Sequence, residues 1–252
     1  MTPTTPPAAI AGLRVKLFAD GADLAGMTAL RALPFIAGFT TNPTLMRKAG
    51  VRDYARFGRE AVERIPDRPI SFEVLSDEFD EMAREAHEIA SWGPLVYVKI
   101  PVTNTRSEPS YGLIHRLSHD GIRINVTAVL TLDQVERAVD ALGGDGAPAY
   151  VSMFAGRIAD TGRDPAPDIR EARNILGRAP QAELIWASPR EVLNIFQADA
   201  AGCHIITLTD DILRKLDLLG RDLADFSLAT VRMFRDDAIA AGLAFAREVE
   251  SR

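Results

Sequence analysis

Lys99 stands near the end of an apolar run, Leu95–Pro101, whose composition is typical of a buried strand. Only four of the 29 basic residues are lysines, so the chain places an amine here although it uses arginine nearly everywhere else. A lysine desolvated in an apolar site can lose its proton and attack a carbonyl, whereas arginine stays protonated. Lys99 is therefore a candidate amine nucleophile. The alternative is a lysine at a strand end that extends its ammonium group to water.

Polar side chains also stand near the ends of six other apolar runs. They are Asp20, Thr41 with Asn42, Glu73, Asn125 with Thr127, Ser152 with Arg157, and Ser188 with Arg190. Residues two apart in a strand point to the same face, which pairs Asn125 with Thr127 and Ser152 with Phe154. A carboxylate, an amide and a hydroxyl buried beside one lysine would be a costly way to fill a core, so we expect a reaction site there.

These residues also have structural explanations. Asp20 and Thr41 could cap the helices that follow them, and Glu73 could pair with an arginine. Asn125 and Thr127 could bond only to each other across the sheet. Serine and arginine, the residue types at 188 and 190, are common where a strand leads into a helix.

Eight β-rich runs alternate with amphipathic helical stretches. The predicted strands are Arg14–Asp20, Gly38–Thr41, Pro69–Val74, Val96–Pro101, Ile122–Val129, Ala149–Gly156, Glu183–Ser188 and His204–Thr209. The predicted helices are Ala22–Leu33, Tyr54–Ile65, Asp77–Ser91, Tyr111–Asp120, Leu132–Leu142, Ile169–Gly177 and Arg190–Ala200. This alternation predicts an α/β fold, a parallel (β/α)8 barrel of the TIM type. A doubly wound open sheet is the alternative, but no G-x-G-x-x-G motif follows the first strand.

Local signals predict where some helices begin and end. Asp77 and Thr131 have the residue types of helix N-caps, and Gly121 and Gly177 those of helix ends.

We expect a single domain, because no change in composition marks a boundary. Residues 1–10 form the expected disordered lead, and residues 11–252 the barrel with its C-terminal helix. The segment Asp225–Glu250 predicts that long helix, which we expect to pack on the barrel or on a neighbouring subunit. Its apolar positions are Phe226, Val231, Phe234, Ile239 and Phe245.

Composition narrows the class of protein. A net charge of −6 and a pI near 5.3 argue against a general nucleic-acid binder, although a small phosphorylated ligand needs only a few cations. Cys203 is the only cysteine, which suits a reducing compartment. No run approaches about 18 apolar residues, so we expect no membrane span and no membrane partner. The N-terminus lacks the regions of a signal peptide, so a cytoplasmic location is expected.

Motifs for other chemistries are missing from the sequence. His115 and His119 are four residues apart and could bind zinc only with a third ligand, which no H-E-x-x-H motif or cysteine pair supplies. There is no G-x-S-x-G elbow and no P-loop, which disfavours serine-hydrolase and nucleoside-triphosphatase chemistry. We therefore expect no metal site.

Seven segments, in family order over about residues 15–210, resemble the transaldolase family, which includes the fructose-6-phosphate aldolases. They are Leu17–Asp23, Thr40–Leu45, Ser71–Val74, Val98–Thr103, Asn125–Val129, Val151–Arg157 and Ala187–Arg190. The Thr-Thr-Asn-Pro and Lys-Ile-Pro stretches are the most specific. The resemblance implies an eight-stranded barrel that carries out Schiff-base aldol chemistry on sugar phosphates without a metal or an organic cofactor.

The resemblance also implies catalytic roles. Lys99 corresponds to the amine that forms an imine with the keto carbon of a sugar. Asp20 corresponds to the acid/base that handles the hydroxyl proton when the carbon–carbon bond breaks. Glu73 and Thr127 correspond to the pair that holds a water molecule for forming and hydrolysing the imine.

Substrate-binding roles follow in the same way. Asn42 and Asn125 correspond to residues that bond the sugar hydroxyls, with Thr41 nearby. The further substrate-binding candidates are Ser152 and Phe154 on the sixth strand and, for the terminal phosphate, Arg157, Ser188 and Arg190.

Two positions separate transfer from simple cleavage within the family. Transaldolases are similar to this chain in having glutamate at Glu73 and phenylalanine at Phe154, where the aldolases have glutamine and tyrosine. We therefore expect a transferase that moves a dihydroxyacetone unit from a ketose phosphate to an aldose acceptor, as in the pentose phosphate pathway. A homo-oligomer is also expected, although its subunit number does not follow.

Several alternatives stay open. One is an aldolase of the same family that releases free dihydroxyacetone, and another is a non-catalytic sugar-phosphate binder. A deoxyribose-phosphate aldolase is disfavoured by the Thr-Thr-Asn-Pro segment. Met153, Pro189 and Glu191 depart from the family pattern. The last two stand beside the expected phosphate site, so a longer, sulfonated or unphosphorylated sugar is a further alternative substrate.

Overall fold

Eight parallel strands close into a barrel in a computed structural model that describes residues 7–243. The strands are β1 Lys16–Asp20, β2 Ile36–Thr40, β3 Ile70–Glu73, β4 Val96–Pro101, β5 Ile124–Val129, β6 Ala149–Met153, β7 Ala182–Trp186 and β8 Ile205–Thr209. Each strand pairs with the next in the chain, and β8 pairs with β1 over their whole length. The predicted (β/α)8 barrel is confirmed, and the open sheet is excluded.

Along the chain, α-helices precede β1, stand between the strands and follow β8. They are α1 Ala8–Ala11, α2 Leu24–Arg31, α3 Pro43–Lys48, α4 Tyr54–Arg64, α5 Phe79–Ala90, α6 Tyr111–His119, α7 Leu132–Leu142, α8 Ala155–Ala159, α9 Ala166–Ile175, α10 Leu193–Ala200, α11 Asp210–Arg214 and α12 Leu223–Ala240. Two 3₁₀ turns, Leu176–Arg178 and Lys215–Leu218, extend α9 and α11. The described residues form two compact units, 7–217 and 218–243.

The seven predicted helices of the barrel are all present, and their ends differ from prediction by a few residues. Asp77 is not the N-cap of α5, because that position belongs to Glu78. The Asp77 carboxylate instead accepts hydrogen bonds from the backbone N–H and hydroxyl of Thr105 and pairs with Arg106. The Asp77 side chain therefore binds a distant loop, although the local sequence predicts that it caps the helix.

Of the other three predicted helix signals, two are as predicted and one is not. Thr131 caps α7 within a complete capping box, as predicted, and Gly121 adopts φ +82° just after α6. Gly177 does not end its helix, because the chain turns on through Leu176–Arg178 in 3₁₀ geometry.

Three short helices that we did not predict follow strands directly. They are α3, α8 and α11, each of five or six residues. Such lengths hardly exceed one turn, so they show no hydrophobic periodicity. The clearest local signal is at α3, where the Asn42 side chain accepts from the Leu45 N–H and Pro43 occupies the first helical position.

The lower half of the barrel interior is filled by aromatic and aliphatic side chains. The rings of Tyr97 and Tyr150 are stacked with centroids 3.9 Å apart, and Phe18 meets Tyr150 edge-on. Ile185 and Ile205 complete this layer, in which every side chain is buried. Polar residues placed further along the same strands are therefore open to solvent only at the C-terminal end of the barrel.

The second unit is built around α12. Its N-cap is Asp222, whose carboxylate accepts from the N–H groups of Ala224 and Asp225, so the helix begins two residues earlier than predicted. The last part of the predicted tail, from residue 244 and including Phe245, lies outside the described residues, as do residues 1–6 of the predicted lead. Among the residues described, no helix is both long and apolar enough to cross a membrane.

Candidate active site

A pocket of about 560 Å³ opens at the C-terminal end of the barrel. Its wall is formed by strand ends and the loops that follow them. The residues that line it are Asp20, Thr40, Asn42, Pro43, Thr44, Leu45, Lys48, Glu73, Lys99, Thr127, Ala128, Ser152, Phe154, Arg157, Ala187, Ser188, Pro189, Arg190, Thr207 and Thr209. Ten of the twelve residues predicted from the sequence lie on this wall.

Lys99 lies at the floor of the pocket, where only 6% of the residue is exposed. Its Nζ donates to the backbone carbonyl of Thr41 at 2.8 Å and lies 3.2 Å from Oε2 of Glu73. The registers of β3 and β4 place Glu73 directly beside Lys99. The alternative in which this ammonium reaches bulk water is excluded, because the amine is held inside the barrel.

Asp20 ends β1 and is the second carboxylate of the floor. Its Oδ1 accepts a 2.7 Å hydrogen bond from the Thr40 hydroxyl. Burial raises the pKa of Asp20 above its ordinary value, and the negative charge of Glu73 adds to the rise. The charge of Lys99 and the bond from Thr40 lower that pKa and so offset part of the effect.

A buried hydrogen-bonded chain lies beneath the floor. Asn125 donates from Nδ2 to the Ser71 hydroxyl at 3.0 Å and accepts at Oδ1 from Ser152 at 2.7 Å. Both ends of the amide are therefore bonded to serine hydroxyls. Asn125 is fully buried and does not line the pocket. The hydroxyl of Thr41, the other predicted residue that lies behind the wall, donates to the Ser71 carbonyl.

Thr127 carries a buried hydroxyl on the pocket wall. Its Oγ1 has no hydrogen-bond partner in the described part of the chain, although the residue is only 1% exposed. The next residue, Ala128, has φ +61°, a conformation that is costly for any residue with a Cβ. The pairing of β5 with β6 shifts its register at this point. This kink brings two consecutive residues of β5 to the pocket wall.

Cationic side chains gather at the rim above β6 and β7. Arg190 binds both carboxylate oxygens of Asp160 through Nε and Nη2, and its Nη1 donates to the Ser188 hydroxyl at 3.1 Å. Arg157 lies over the ring of Phe154, 5.2 Å from its centroid. The Arg190 guanidinium lowers the pKa of Asp160, so this ion pair persists well below neutral pH.

The backbone at the rim is packed without space for a side chain. Gly156 lies against Ser188 so closely that a Cβ at 156 would fall 1.5 Å from the Ser188 carbonyl oxygen. Ser188 itself has φ +59°. The turn that precedes Arg157 and the turn that precedes Arg190 are therefore locked together.

The structure also shows where three further residues near the rim lie. Asn42 caps α3 while its side chain also lines the pocket. Pro189 lines the pocket, whereas the exposed Glu191 does not. Glu191 does not lie on a helix either, because α10 begins at Leu193 rather than at Arg190.

The structural alternatives for the floor residues do not hold. Asp23 and Asn42 cap α2 and α3, so the side chains of Asp20 and Thr41 are not caps. Glu73 pairs with Lys99 rather than with an arginine.

No group of three or more His, Cys, Asp or Glu side chains within residues 7–243 is arranged to hold a metal ion. The single thiol is also far from reactive, because burial raises the pKa of Cys203 to about 12.

Several pocket residues were missed by sequence reasoning. They are Thr40, Lys48, Thr207 and Thr209 on the wall, with Ser71 and Asp160 behind it. A usable signal existed on β8, because Thr207 and Thr209 alternate with apolar residues in an otherwise aliphatic strand. No comparable signal marks Asp160, whose partner is 30 residues away.

Comparison with known proteins agrees with this geometry. The sequence model of the family described as "Transaldolase/Fructose-6-phosphate aldolase" matches residues 17–243. The chain belongs to this family. As a member of the transaldolase/fructose-6-phosphate aldolase family it is an enzyme of the transferase or aldolase kind, and the predicted family resemblance is confirmed.

Relatives support the same assignment. The chain is 37% identical over 203 residues to a "Probable transaldolase" of Streptococcus agalactiae, covering 80% of this chain and 89% of that one. It is 35% identical over 232 residues to a "Probable transaldolase" of Thermoanaerobacter sp., covering 91% and 99%.

Solved structures of low sequence identity share the fold of this transaldolase-family chain. "KGPDC" from Streptococcus mutans aligns with a TM-score of 0.55 at 11% identity, over 79% of this chain and 90% of that one. An "HpcH/Hpal aldolase/citrate lyase family protein" from Burkholderia cenocepacia aligns with a TM-score of 0.55 at 14% identity, over 87% and 95%. At such identities the likeness concerns the barrel alone.

Proposed function

We propose that this enzyme is a transaldolase that moves a dihydroxyacetone unit from a ketose phosphate to an aldose phosphate through a Schiff base on Lys99. The observation that carries the proposal is the amine itself. It is buried at the floor of a polar pocket, within hydrogen-bond reach of one carboxylate and under the electrostatic influence of another.

Formation of the imine needs an amine and a route for water. The Lys99 amine attacks the keto carbon, and the carbinolamine then loses its hydroxyl as water to give the protonated imine. The unbonded hydroxyl of Thr127 and the carboxylate of Glu73 both line the pocket beside Lys99. They are suited to hold that water and to return it when the imine is hydrolysed.

Cleavage of the carbon–carbon bond needs a base at the adjacent hydroxyl. Asp20 takes the hydroxyl proton as the bond breaks, the aldehyde departs, and the electron pair passes to the imine nitrogen as an enamine forms. The raised pKa of Asp20 brings it closer to the pH at which such an exchange is efficient. In the reverse direction the enamine carbon attacks the acceptor aldehyde, and Asp20 returns the proton.

The rim supplies the other end of the binding site. Arg157, Arg190 and Ser188 present guanidinium and hydroxyl donors that fit a phosphate group. Binding the phosphate at the rim positions the reacting carbons over Lys99, which contributes to the rate by orientation.

Borohydride trapping tests the nucleophile and the substrate class together. The protein is incubated with a panel of ketose phosphates, reduced, digested and analysed by mass spectrometry. Because the chain has only four lysines, each modified peptide identifies one site. We expect the adduct on Lys99, and the Lys48→Arg variant, which alters the other lysine of the pocket, should still give it. No adduct with any ketose phosphate, as a non-catalytic binder would show, contradicts the proposal.

Product analysis tests transfer against simple cleavage. Glu73 and Phe154, which line the pocket, are the residues that the transaldolase branch of the family carries. We expect dihydroxyacetone to be handed on when an aldose phosphate is present and only slowly released when it is absent. Release at a comparable rate without an acceptor would identify an aldolase instead.

A further inference from the structure

Two threonine hydroxyls, those of Thr40 on β2 and Thr207 on β8, form a buried pair at the floor of the site. The Thr40 and Thr207 hydroxyls lie 2.5 Å apart, and Thr207 is only 5% exposed. β1 lies between β2 and β8 in the barrel wall. The two hydroxyls therefore bridge β2 and β8 across the inner face of β1, next to Asp20 at the end of β1. None of the roles described above uses Thr207.

Counting hydrogens fixes the direction of this chain. A threonine hydroxyl has one proton to donate, and that of Thr40 goes to Oδ1 of Asp20 at 2.7 Å. When Asp20 is ionised, Thr207 is therefore the donor in the short contact with Thr40. Two hydroxyls in series thus point their protons toward one oxygen of the carboxylate, and each bond in such a chain polarises the next.

We propose that Thr207 is a positioning residue of the aldol site, which acts through Thr40 to stabilise the ionised form of Asp20 and to leave its second oxygen for the substrate hydroxyl. The inference rests on the proposed function, because Asp20 must be ionised to take that proton. The chain of donors opposes the effect of burial, which favours the neutral acid. Thr207 thereby allows carbon–carbon cleavage to begin at a lower pH.

The other charges around Asp20 do not perform this task alone. Lys99 on β4 favours the ionised carboxylate, but Glu73 on β3 disfavours it, and these two groups also pair with each other. The cations Lys48, Arg157 and Arg190 are at the mouth and rim of the pocket. The hydroxyl chain is the only direct hydrogen bond to the Asp20 carboxylate from the side chains that the structure describes.

The test is the pH profile of kcat/KM for a ketose phosphate donor. Thr207→Val keeps the shape of the side chain and removes the donor. We expect its acid limb to move to higher pH by about 0.5 to 1 unit, which corresponds to the loss of one net hydrogen bond. Thr207→Ser keeps the hydroxyl and should return the limb to its original position. If Thr207→Val does not fold, Thr207→Ala gives the same measurement.

A matched control lies two residues further along the strand. Thr209 lines the same pocket, but its hydroxyl donates to Asp211, so Thr209→Val should leave the acid limb in place. An unmoved limb in Thr207→Val, or equal shifts in the valine and serine variants, overturns the role of Thr207. Borohydride trapping of the parent protein separates the two proposals. A trapped imine with an unmoved limb refutes only the role of Thr207, whereas no trapped imine refutes the proposed function.

Discussion

At the floor of the pocket the charged groups lie inside the barrel, whereas at the rim they face solvent. The side chains of Lys99 and Glu73 are 7% and 21% exposed, but those of Arg190 and Asp160 are 46% and 53% exposed. A buried charge must be paired or bonded, and its interactions are strong because little water screens them. An exposed pair gains much less in stability and serves mainly to set geometry.

The two regions should therefore respond differently to mutation. Changes at the floor should alter the chemical step, because in the proposed mechanism those groups bond covalently to the substrate or exchange protons with it. Changes at the rim should alter binding, because a phosphate held there is far from the bonds that change. Each prediction below tests this division.

Lys99→Ala should have the largest effect. Removing the amine eliminates the covalent step, so we expect kcat to fall by at least about 10⁴-fold while the fold is retained. Steady-state kinetics and far-ultraviolet circular dichroism measure the two effects. Substantial residual turnover with a folded protein would contradict the Schiff-base mechanism.

Asp20→Asn should separate the two chemical steps. We expect kcat to fall by about 10²- to 10⁴-fold through loss of acid–base catalysis. The imine on Lys99 should still be trapped by borohydride, because its formation uses Glu73 and Thr127. If trapping is lost together with turnover, the roles of the carboxylates must be reassigned.

The same variant should be more stable than the parent protein at neutral pH. Because the folded-state pKa of Asp20 is raised, ionising it disfavours folding above its ordinary pKa, and asparagine removes that cost. The difference in Tm should shrink as the pH falls through and then below 3.8, the ordinary value, because the acid then becomes neutral in both the folded and the unfolded state. A lower Tm at neutral pH would argue that the carboxylate is stabilised by its neighbours.

Arg190→Ala should act mainly on KM. We expect a rise of about 10- to 100-fold for phosphorylated donors, since a charge-assisted hydrogen bond is lost, with a much smaller change in kcat. Asp160→Asn should raise KM by a few fold, because it frees the guanidinium that Asp160 orients. A loss confined to kcat in either variant would refute the division between floor and rim.

Glu191→Gln should have the smallest effect. The side chain is exposed and does not line the pocket, so KM for a phosphorylated donor should stay within about twofold of the parent value. A large gain in phosphate affinity would mean that this carboxylate repels the substrate and contributes to specificity.

The fold was predictable because its signals are periodic and local. Eight apolar runs alternating with amphipathic helices indicate a parallel α/β fold, and polar residues at strand ends indicate which end of the sheet carries the site. Closure into a barrel came from the structure. Lys99, Asp20 and Glu73 could be proposed because each stands at or near the end of a predicted strand.

The rest depended on contacts between distant parts of the chain. Asp77 has the composition of a cap but binds a loop 28 residues away, and Asp160 orients an arginine 30 residues away. The kink at Ala128 is equally invisible in the sequence, because a single residue of positive φ leaves no periodic trace. Contacts between such distant residues depend on how the whole chain packs, and a short stretch of sequence does not show this.

The close approach of Gly156 to the Ser188 carbonyl has a consequence for substrate choice. Since this contact holds the segments that carry Arg157 and Arg190 together, the distance from the Lys99 amine to the proposed phosphate-binding arginines is fixed. Under the proposed function, exchanging side chains along the pocket should change the length of sugar that is accepted, whereas the backbone between the two arginines should not adapt.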